Sequence, residues 1–395
     1  MRSFVFFTTA YSLSVFGTYL NLIVLSLFTF QLTDSALGTG AALALRVLSG
    51  FVSGVPAGRL AGRADRWLMI GADLARAAAV VALLLWPGIP ALVVACVVLG
   101  AGNTVFTVAL RSAVPDLVGQ ENRTRANGYL VTGRAVATVL GLASAGTIIP
   151  VGGFQAAFAI TAASFLCCAA AVALLPRRAR EVTSADTTPP ALRHRFALGW
   201  VVVCLLVLRA ADALGSASHN VALPLYAEQN GAVAFMSYFM TAWAVGTLCA
   251  HPLVTRWVKR RGAPPSERAF AVGTCLMSVS FVVAFTGVPT PVVVVAAAVA
   301  GLADGFTEIC YVSRFQAMPE HQRGRLFGLS ASVEAAGFAA GTVAAGFLLG
   351  ALPVPVAVGL LHGATCVAAA AFLLLFTLRG NRSALDSNRT QGTNH

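Results

Sequence analysis

The sequence predicts an all-α integral membrane protein, twelve transmembrane helices in two six-helix halves, and three observations carry that prediction. Apolar runs long enough to cross a bilayer recur along the whole chain, Arg is confined to alternate connections between them, and one long polar stretch divides them six and six. Composition agrees: 57% of the 395 residues are hydrophobic and 11% are charged, whereas a soluble domain spends about a quarter of its residues on charge.

A hydrocarbon core about 30 Å thick takes about 20 apolar residues per helix. The first run, 6–30, follows a single Arg, is longer than a signal-peptide core and has no small-residue cleavage site, so it reads as a retained span. Runs then follow at 38–58, 67–86, 90–111, 126–149 and 152–175, each bounded by Gly, Pro or charge. After the polar stretch they resume at 197–219, 231–255, 269–287, 291–312, 327–349 and 354–378. A β-barrel is excluded, because its strands would be about ten residues of alternating polarity.

The connections orient these spans, since Arg and Lys collect on the cytoplasmic side. Segments 31–37, 87–89, 150–151, 220–230, 288–290 and 350–353 hold neither residue. The alternate connections hold Arg59, Arg63 and Arg66, Arg123 and Arg125, then Arg177, Arg178, Arg180, Arg193 and Arg195. Further along come Arg256, Lys259, Arg260, Arg261 and Arg268, and finally Arg323 and Arg325. Both termini are therefore expected in the cytoplasm. The net charge of +12 sits in these short islands and not on one basic face, so nucleic acid is not an expected partner.

The stretch PRRAREVTSADTTPPALRHR divides the chain into an N-terminal half, 1–175, a linker, 176–196, and a C-terminal half, 197–378, with a tail expected to be disordered at 379–395. The halves echo each other. Pro90 and Gly100 recur in spacing as Pro291 and Gly301, and RSAVPD…RANG at 111–128 is matched by RFQAMPE…RLFG at 314–328. Internal repeats of this kind build many secondary transporters. The eight Cys lie in apolar runs without zinc-binding spacing, and neither metal nor cofactor is expected. No Walker, HExxH, GxSxG or dinucleotide motif is present, so catalysis and nucleotide-driven work are not expected.

A charge in the bilayer core costs several kcal/mol and persists only when it is paired, hydrated or functional. Those candidates are Arg46 in the second span, Arg134 in the fifth, Arg209 and Asp212 in the seventh, Asp304 and Glu308 in the tenth and Glu334 in the eleventh. Asn21 and Asn103 are their neutral companions, and Trp243 could stack on an amphipathic solute. Asp304 and Glu308, four residues apart, share one helix face. Two adjacent carboxylates in a poorly hydrated cavity cannot both be charged cheaply, which suits proton coupling. Neutralisation of either by Arg209 or Arg134 as a structural ion pair is the competing reading. Arg134 itself is read either as a contact for an anionic or zwitterionic solute or as a partner of an acid from the other half. His219, Asn220, His251 and His362 read as hydrogen-bonded structural groups, and Gly337, Gly341 and Gly346 as sites of close helix packing.

The segment GVPAGRLAGRADRWLMIGADLARA, 54–77, resembles the Gly-rich loop signature of the major facilitator superfamily. With FQLTDSALGTGAALALRVL and VPDLVGQENRTRANGYL, at 30–48 and 114–130, the chain looks like the branch of macrolide and enterobactin-type exporters. The resemblance implies spans 3, 6, 9 and 12 on the outside and the other eight around a cavity, which is where the embedded charges fall. It implies a gating role for Gly58, Arg59, Arg63, Asp65, Arg66, Asp73 and Arg76. Gly62 stands where an Asp is expected and no acid lies near Gly17 and Thr18, so Asp65 and Asp73 are left to carry the gating charge. VLGLASAG, 139–146, resembles the antiporter motif with Leu142 in the place of Pro.

The expectation is a secondary active transporter, proton-coupled, exporting a drug-like or natural-product molecule by alternating access. Protons would be handled by Asp304, Glu308, Asp212 and Glu334, and solute would be met by Asn21, Arg46, Asn103, Arg134, Arg209 and Trp243. Its partners would be that solute, protons and lipid, and it would act as a monomer. The scarcity of Lys beside abundant Arg suggests a bacterial plasma membrane. The alternatives are a proton-coupled uptake symporter and a transporter-like sensor or assembly partner that moves nothing.

Overall fold

The computed structural model describes residues 2–62, 64–174, 199–229 and 233–392. Arg63 and the linker 176–196 lie outside the described residues. Eleven α-helices account for the rest: α1 (Arg2–Thr33), α2 (Ala36–Leu60), α3 (Asp65–Leu85), α4 (Ile89–Val118), α5 (Arg123–Leu174), α6 (Trp200–Gln229), α7 (Val233–Arg261), α8 (Glu267–Ala284), α9 (Thr290–Gln316), α10 (Glu320–Ala351) and α11 (Val354–Gly392). There is no strand among the described residues. In lipid the chain must satisfy its own backbone hydrogen bonds, and the helix does so within one segment.

The 52-residue α5 contains the fifth and sixth predicted spans. Pro150 cannot donate to the helix ladder and Gly153 sits at φ +67°, so the chain kinks where two apolar runs meet. With that division, each predicted span falls on a helical segment. Ten described segments are apolar and long enough to cross a bilayer, with Gln120–Leu174 counted once and α7, which carries the predicted span 231–255, not among them. The helices outrun several apolar runs: α4 continues to Val118, α10 begins at Glu320, and α11 continues to Gly392. Hydropathy marks the oily middle of a helix, while the hydrogen-bond ladder carries on into polar sequence.

By packing, the chain forms two compact units. Unit 1 comprises Met1–Ala126, Gly141–Leu206 and Gln316–Leu329, and unit 2 comprises Asn127–Leu140, Val207–Phe315 and Ser330–His395. Thus the first part of α5 groups with the second sequence half, and the first part of α10 with the first. In unit 1 a core of Leu20, Val24, Val80, Leu99, Phe158 and Phe165 joins α1, α3, α4 and the second part of α5. In unit 2 the core of Leu223, Phe239, Met277, Phe281, Ala297 and Val358 joins α6, α7, α8, α9 and α11.

The sequence echo has a structural meaning. A Cβ on Gly100 of α4 would lie 1.9 Å from the Arg46 carbonyl oxygen of α2, and one on Gly301 of α9 would lie 1.9 Å from the Trp243 carbonyl oxygen of α7. In each half, glycine lets the backbones of two helices touch, as small residues do where helices pack in lipid.

Candidate functional site

The polar centre of unit 2 is built on α6, α9 and α10. Arg209 and Asp212 lie three residues apart on α6, so their side chains share a face. Glu308 arrives from α9 and Glu334 from α10, because a Cβ on Gly337 would lie only 2.2 Å from the Ala210 carbonyl oxygen, and its absence lets α10 close on α6. The Arg209 guanidinium uses three nitrogens: Nη1 donates to Asp212 Oδ2 at 3.2 Å, Nη2 to Glu308 Oε2 at 2.8 Å and to Glu334 Oε1 at 3.0 Å, and Nε to Glu334 Oε2 at 3.2 Å. The grip on Glu334 is bidentate, the geometry for which a guanidinium fork is suited. The Tyr311 ring lies 5.5 Å from the guanidinium carbon, and the Tyr311 hydroxyl is held at 2.8 Å by Ser330 Oγ.

Exposure grades across this cluster. The Arg209 and Asp212 side chains are 8% and 7% exposed, Glu308 13% and Glu334 31%, so the cluster is reached from the Glu334 side. Asp304, one turn before Glu308, lies in the fields of Arg209, Glu308 and Arg134. Arg134 belongs to the part of α5 that groups with unit 2. Its charge acts on Asp304, an acid of the other sequence half. Glu308 pairs with Arg209, the ion pair that the sequence set against proton handling. Among the described residues no three His, Cys, Asp or Glu converge so as to hold a metal ion.

Unit 1 has a polar interior of opposite balance. Arg46 Nη1 donates to Asn21 Oδ1 at 3.3 Å, and the fully buried Asn21 leaves its Nδ2 without a partner. Asp73 and Arg76 stand one turn apart on α3, ion-paired and buried. Arg76 also lies over the rings of Phe106, at 5.3 Å, and Phe165, at 4.3 Å. The structure places both inside the helix bundle of unit 1, Asp73 two turns beyond the start of α3. Asn103 is exposed on α4, and Trp243 packs against the core of unit 2.

The loop signature itself packs on the first part of α10. A Cβ on Gly58 would meet the Gly324 carbonyl oxygen at 2.6 Å and Gly328 Cα at 2.8 Å. Gly62, where the resemblance expects Asp, has φ +84°, a conformation side-chain-bearing residues seldom adopt. Its N–H is taken by Asp65 Oδ1 at 2.8 Å, so the Asp three residues on closes the loop. Arg59 is exposed, and Arg66 donates to the Ala173 carbonyl oxygen near the end of α5. Beside the loop, Arg323 Nη2 donates to Asp116 Oδ1 at 3.0 Å, and Gln316 Nε2 to the Arg111 carbonyl oxygen at 2.9 Å.

Sequence reasoning did not single out Arg323 with Asp116 as partners, although both lie in the echoed segments after spans 4 and 10. It also treated His219 and His362 separately. The structure sets His219 Nδ1 3.2 Å from His362 Nε2, with Phe281 stacked on His219 at 3.8 Å. Nothing in either segment alone signals that pairing across 143 positions.

Comparison with solved structures gives the fold independently. The chain is similar to a bacterial homologue of the iron transporter ferroportin in an outward-facing state, with TM-score 0.76 and 18% identity over 95% of this chain and 100% of that one. It is similar to the human organic anion transporter MFSD10 (TETRAN), with TM-score 0.74 and 14% identity over 94% and 99% of the two chains. It is also similar to FucP in the outward conformation, with TM-score 0.69 and 16% identity over 93% and 98%. No curated protein matches its sequence. The family model of the Major Facilitator Superfamily matches twice, at residues 5–211 and at 205–393, once for each half of the internal echo. The chain belongs to the major facilitator superfamily, a family of multi-pass membrane transporters.

Proposed function

We propose that this transporter exports a drug-like or natural-product small molecule in exchange for protons, alternating between inward- and outward-facing states. The observation that carries the reading is the Arg209 cluster: one guanidinium hydrogen-bonded to Asp212, Glu308 and Glu334, in the middle of apolar helices and graded in exposure from 7% to 31%. A sealed ion pair gains attraction from low dielectric but bears the desolvation of both its ions, so a charge cluster with an open edge can exchange protons and water where a sealed one cannot. This one opens at Glu334.

The mechanism follows from charge. Protonating a carboxylate cancels its claim on Arg209 and lets the guanidinium turn to its other partners, so proton arrival and departure reset the contacts among α6, α9 and α10. α6 and α10 pack closely at Gly337, and a close-packed contact has few intermediate positions, which favours discrete states over gradual bending. The loop at 54–66, seated on the first part of α10, would latch one of those states through Gly58, Asp65 and Arg66, with Arg323 and Asp116 beside it. The chain would sit in a bacterial plasma membrane as a monomer, with both termini in the cytoplasm, supported by the distribution of Arg among the connections.

The test is transport into everted membrane vesicles under an imposed pH gradient, after a screen for resistance in a pump-deficient host has supplied a solute. Accumulation driven by an acid interior, lost in Glu308→Gln and Asp304→Asn, is the expected result. Full uphill transport by both variants removes proton handling from these residues, and accumulation only under the opposite gradient reverses the direction.

A further inference from the structure

Within one region of unit 2, Asp212, Asp304, Glu308 and Glu334 stand against Arg209 and Arg134, two carboxylates more than guanidiniums. Unit 1 has the reverse: Arg46 and Arg76 against Asp73 in the interior. An excess of negative charge inside a membrane protein has to be met by something positive, and the side chains present do not supply it.

The geometry marks where the missing charge belongs. Asp212 Oδ2 accepts from Arg209, while Asp212 Oδ1 has no hydrogen-bond partner although the side chain is only 7% exposed. Buried polar atoms are nearly always partnered, so a bare carboxylate oxygen at such a site is a place for a donor that comes and goes. Arg209 is the strongest charge acting on Asp212, and Asp304, Glu334 and Glu308 act on it with the opposite sign, so the residue lies among all four. Glu334, 31% exposed, supplies the approach. The Tyr311 ring, 5.5 Å from the guanidinium carbon of Arg209, shows that an aromatic face already serves a planar cation here.

We infer that the cargo is a cation with N–H donors, an amine or guanidine on an apolar body, and that it binds in unit 2 on Asp212, Asp304 and Glu334 beside Arg209. The inference rests on the transport reading above and names its substrate class. Cargo and proton compete for the same carboxylates: a carboxylate that takes the cation gives up its proton, and one that takes a proton releases the cation. An anion would meet a net negative field with its hydrogen-bonding capacity mismatched, since carboxylates offer acceptors only. A metal ion needs several ligands converging on one point, whereas these carboxylates are spread around a fork.

The experiment is equilibrium binding to the purified full-length chain in lipid nanodiscs, read by intrinsic Trp fluorescence. The probes are benzylguanidinium, phenylacetate of similar size and opposite charge, and tetraphenylphosphonium, a cation without N–H groups. Benzylguanidinium is expected to bind best, and to tighten by up to about tenfold per pH unit as one competing proton is removed. Asp212→Asn should weaken it by about tenfold or more, the loss of one charge-assisted hydrogen bond. Because Asp212 is buried and its replacement could fail to fold, Glu334→Gln at the exposed edge is measured in parallel and should weaken binding severalfold. Preferential binding of phenylacetate, or benzylguanidinium binding untouched in both variants, overturns the inference. If vesicles accumulate another solute under a pH gradient while benzylguanidinium does not bind, the cation assignment falls and proton-coupled transport stands. If benzylguanidinium binds in an Asp212-dependent way but nothing is transported, the site stands and the transport reading falls.

Discussion

Replacing Arg209 with Gln removes four hydrogen bonds of 2.8–3.2 Å in one step and leaves three carboxylates facing one another. Hydrogen bonds to charged groups contribute about 1.5–3 kcal/mol each, and breaking a buried pair by deleting one partner costs about 3–5 kcal/mol. The two contacts to Glu334 count for less, because at 31% exposure water can take over part of their role. The Asp212 and Glu308 contacts, at 7% and 13% exposure, carry most of the effect, which sets the expected destabilisation at about 3–5 kcal/mol near pH 8. Protonation removes the charge that lacks a partner, so the deficit must shrink as pH falls. Thermal unfolding of the purified variant and of the parent chain in the same detergent, at pH 8 and pH 5, reads this directly. A variant as stable as its parent at pH 8, or one whose deficit grows on acidification, refutes the electrostatic account of the cluster.

Asp73 and Arg76 make the contrasting case of a sealed pair. Arg76→Met strands a fully buried carboxylate and should cost about 3–5 kcal/mol, while the double variant Asp73→Asn/Arg76→Met recovers most of that, by thermal unfolding. Gly100→Leu and Gly301→Leu each force apart a helix pair whose backbones would meet the new Cβ at 1.9 Å. Each should cost about 1–3 kcal/mol or more and reduce folded yield alike, whereas Gly146→Leu, with nothing within 4 Å of its Cβ position, should behave as the parent. Gly62→Val places a β-branched side chain at φ +84° and should destabilise by about 1–3 kcal/mol, in the same assay.

Much of this architecture is visible in the sequence because the bilayer imposes it residue by residue. Span length and the break at 149–152 are local properties, and each has its counterpart in the helices. The spacing shared by Pro90 with Gly100 and Pro291 with Gly301 marked the internal repeat, but that each glycine sits at a helix crossing appears only in the structure. The common face of Asp304 and Glu308 was legible from helical periodicity. Arg209 and Arg134 stood out as candidate partners by charge alone, but which of them meets which acid did not. Arg209 reaches Glu334 across 125 positions and Glu308 across 99, and no periodicity within one helix encodes a contact with another. The same limit hid the pairing of His219 with His362. The signature gives Asp73 and Arg76 their place on α3, whereas their burial depends on neighbours from other helices, here Phe106 and Phe165. The grouping of 127–140 with unit 2 and of 316–329 with unit 1 likewise reflects packing among distant segments.

The central claim, that the carboxylates around Arg209 are kept in the membrane because water and cargo reach them, is tested most directly at Glu334. In a chain whose native cysteines are replaced, Glu334→Cys is exposed to a membrane-impermeant thiol reagent added from either side of sealed vesicles. Labelling that slows when benzylguanidinium is present is the predicted result. A thiol inert from both sides, with and without the probe, would show the cluster to be a closed structural bond.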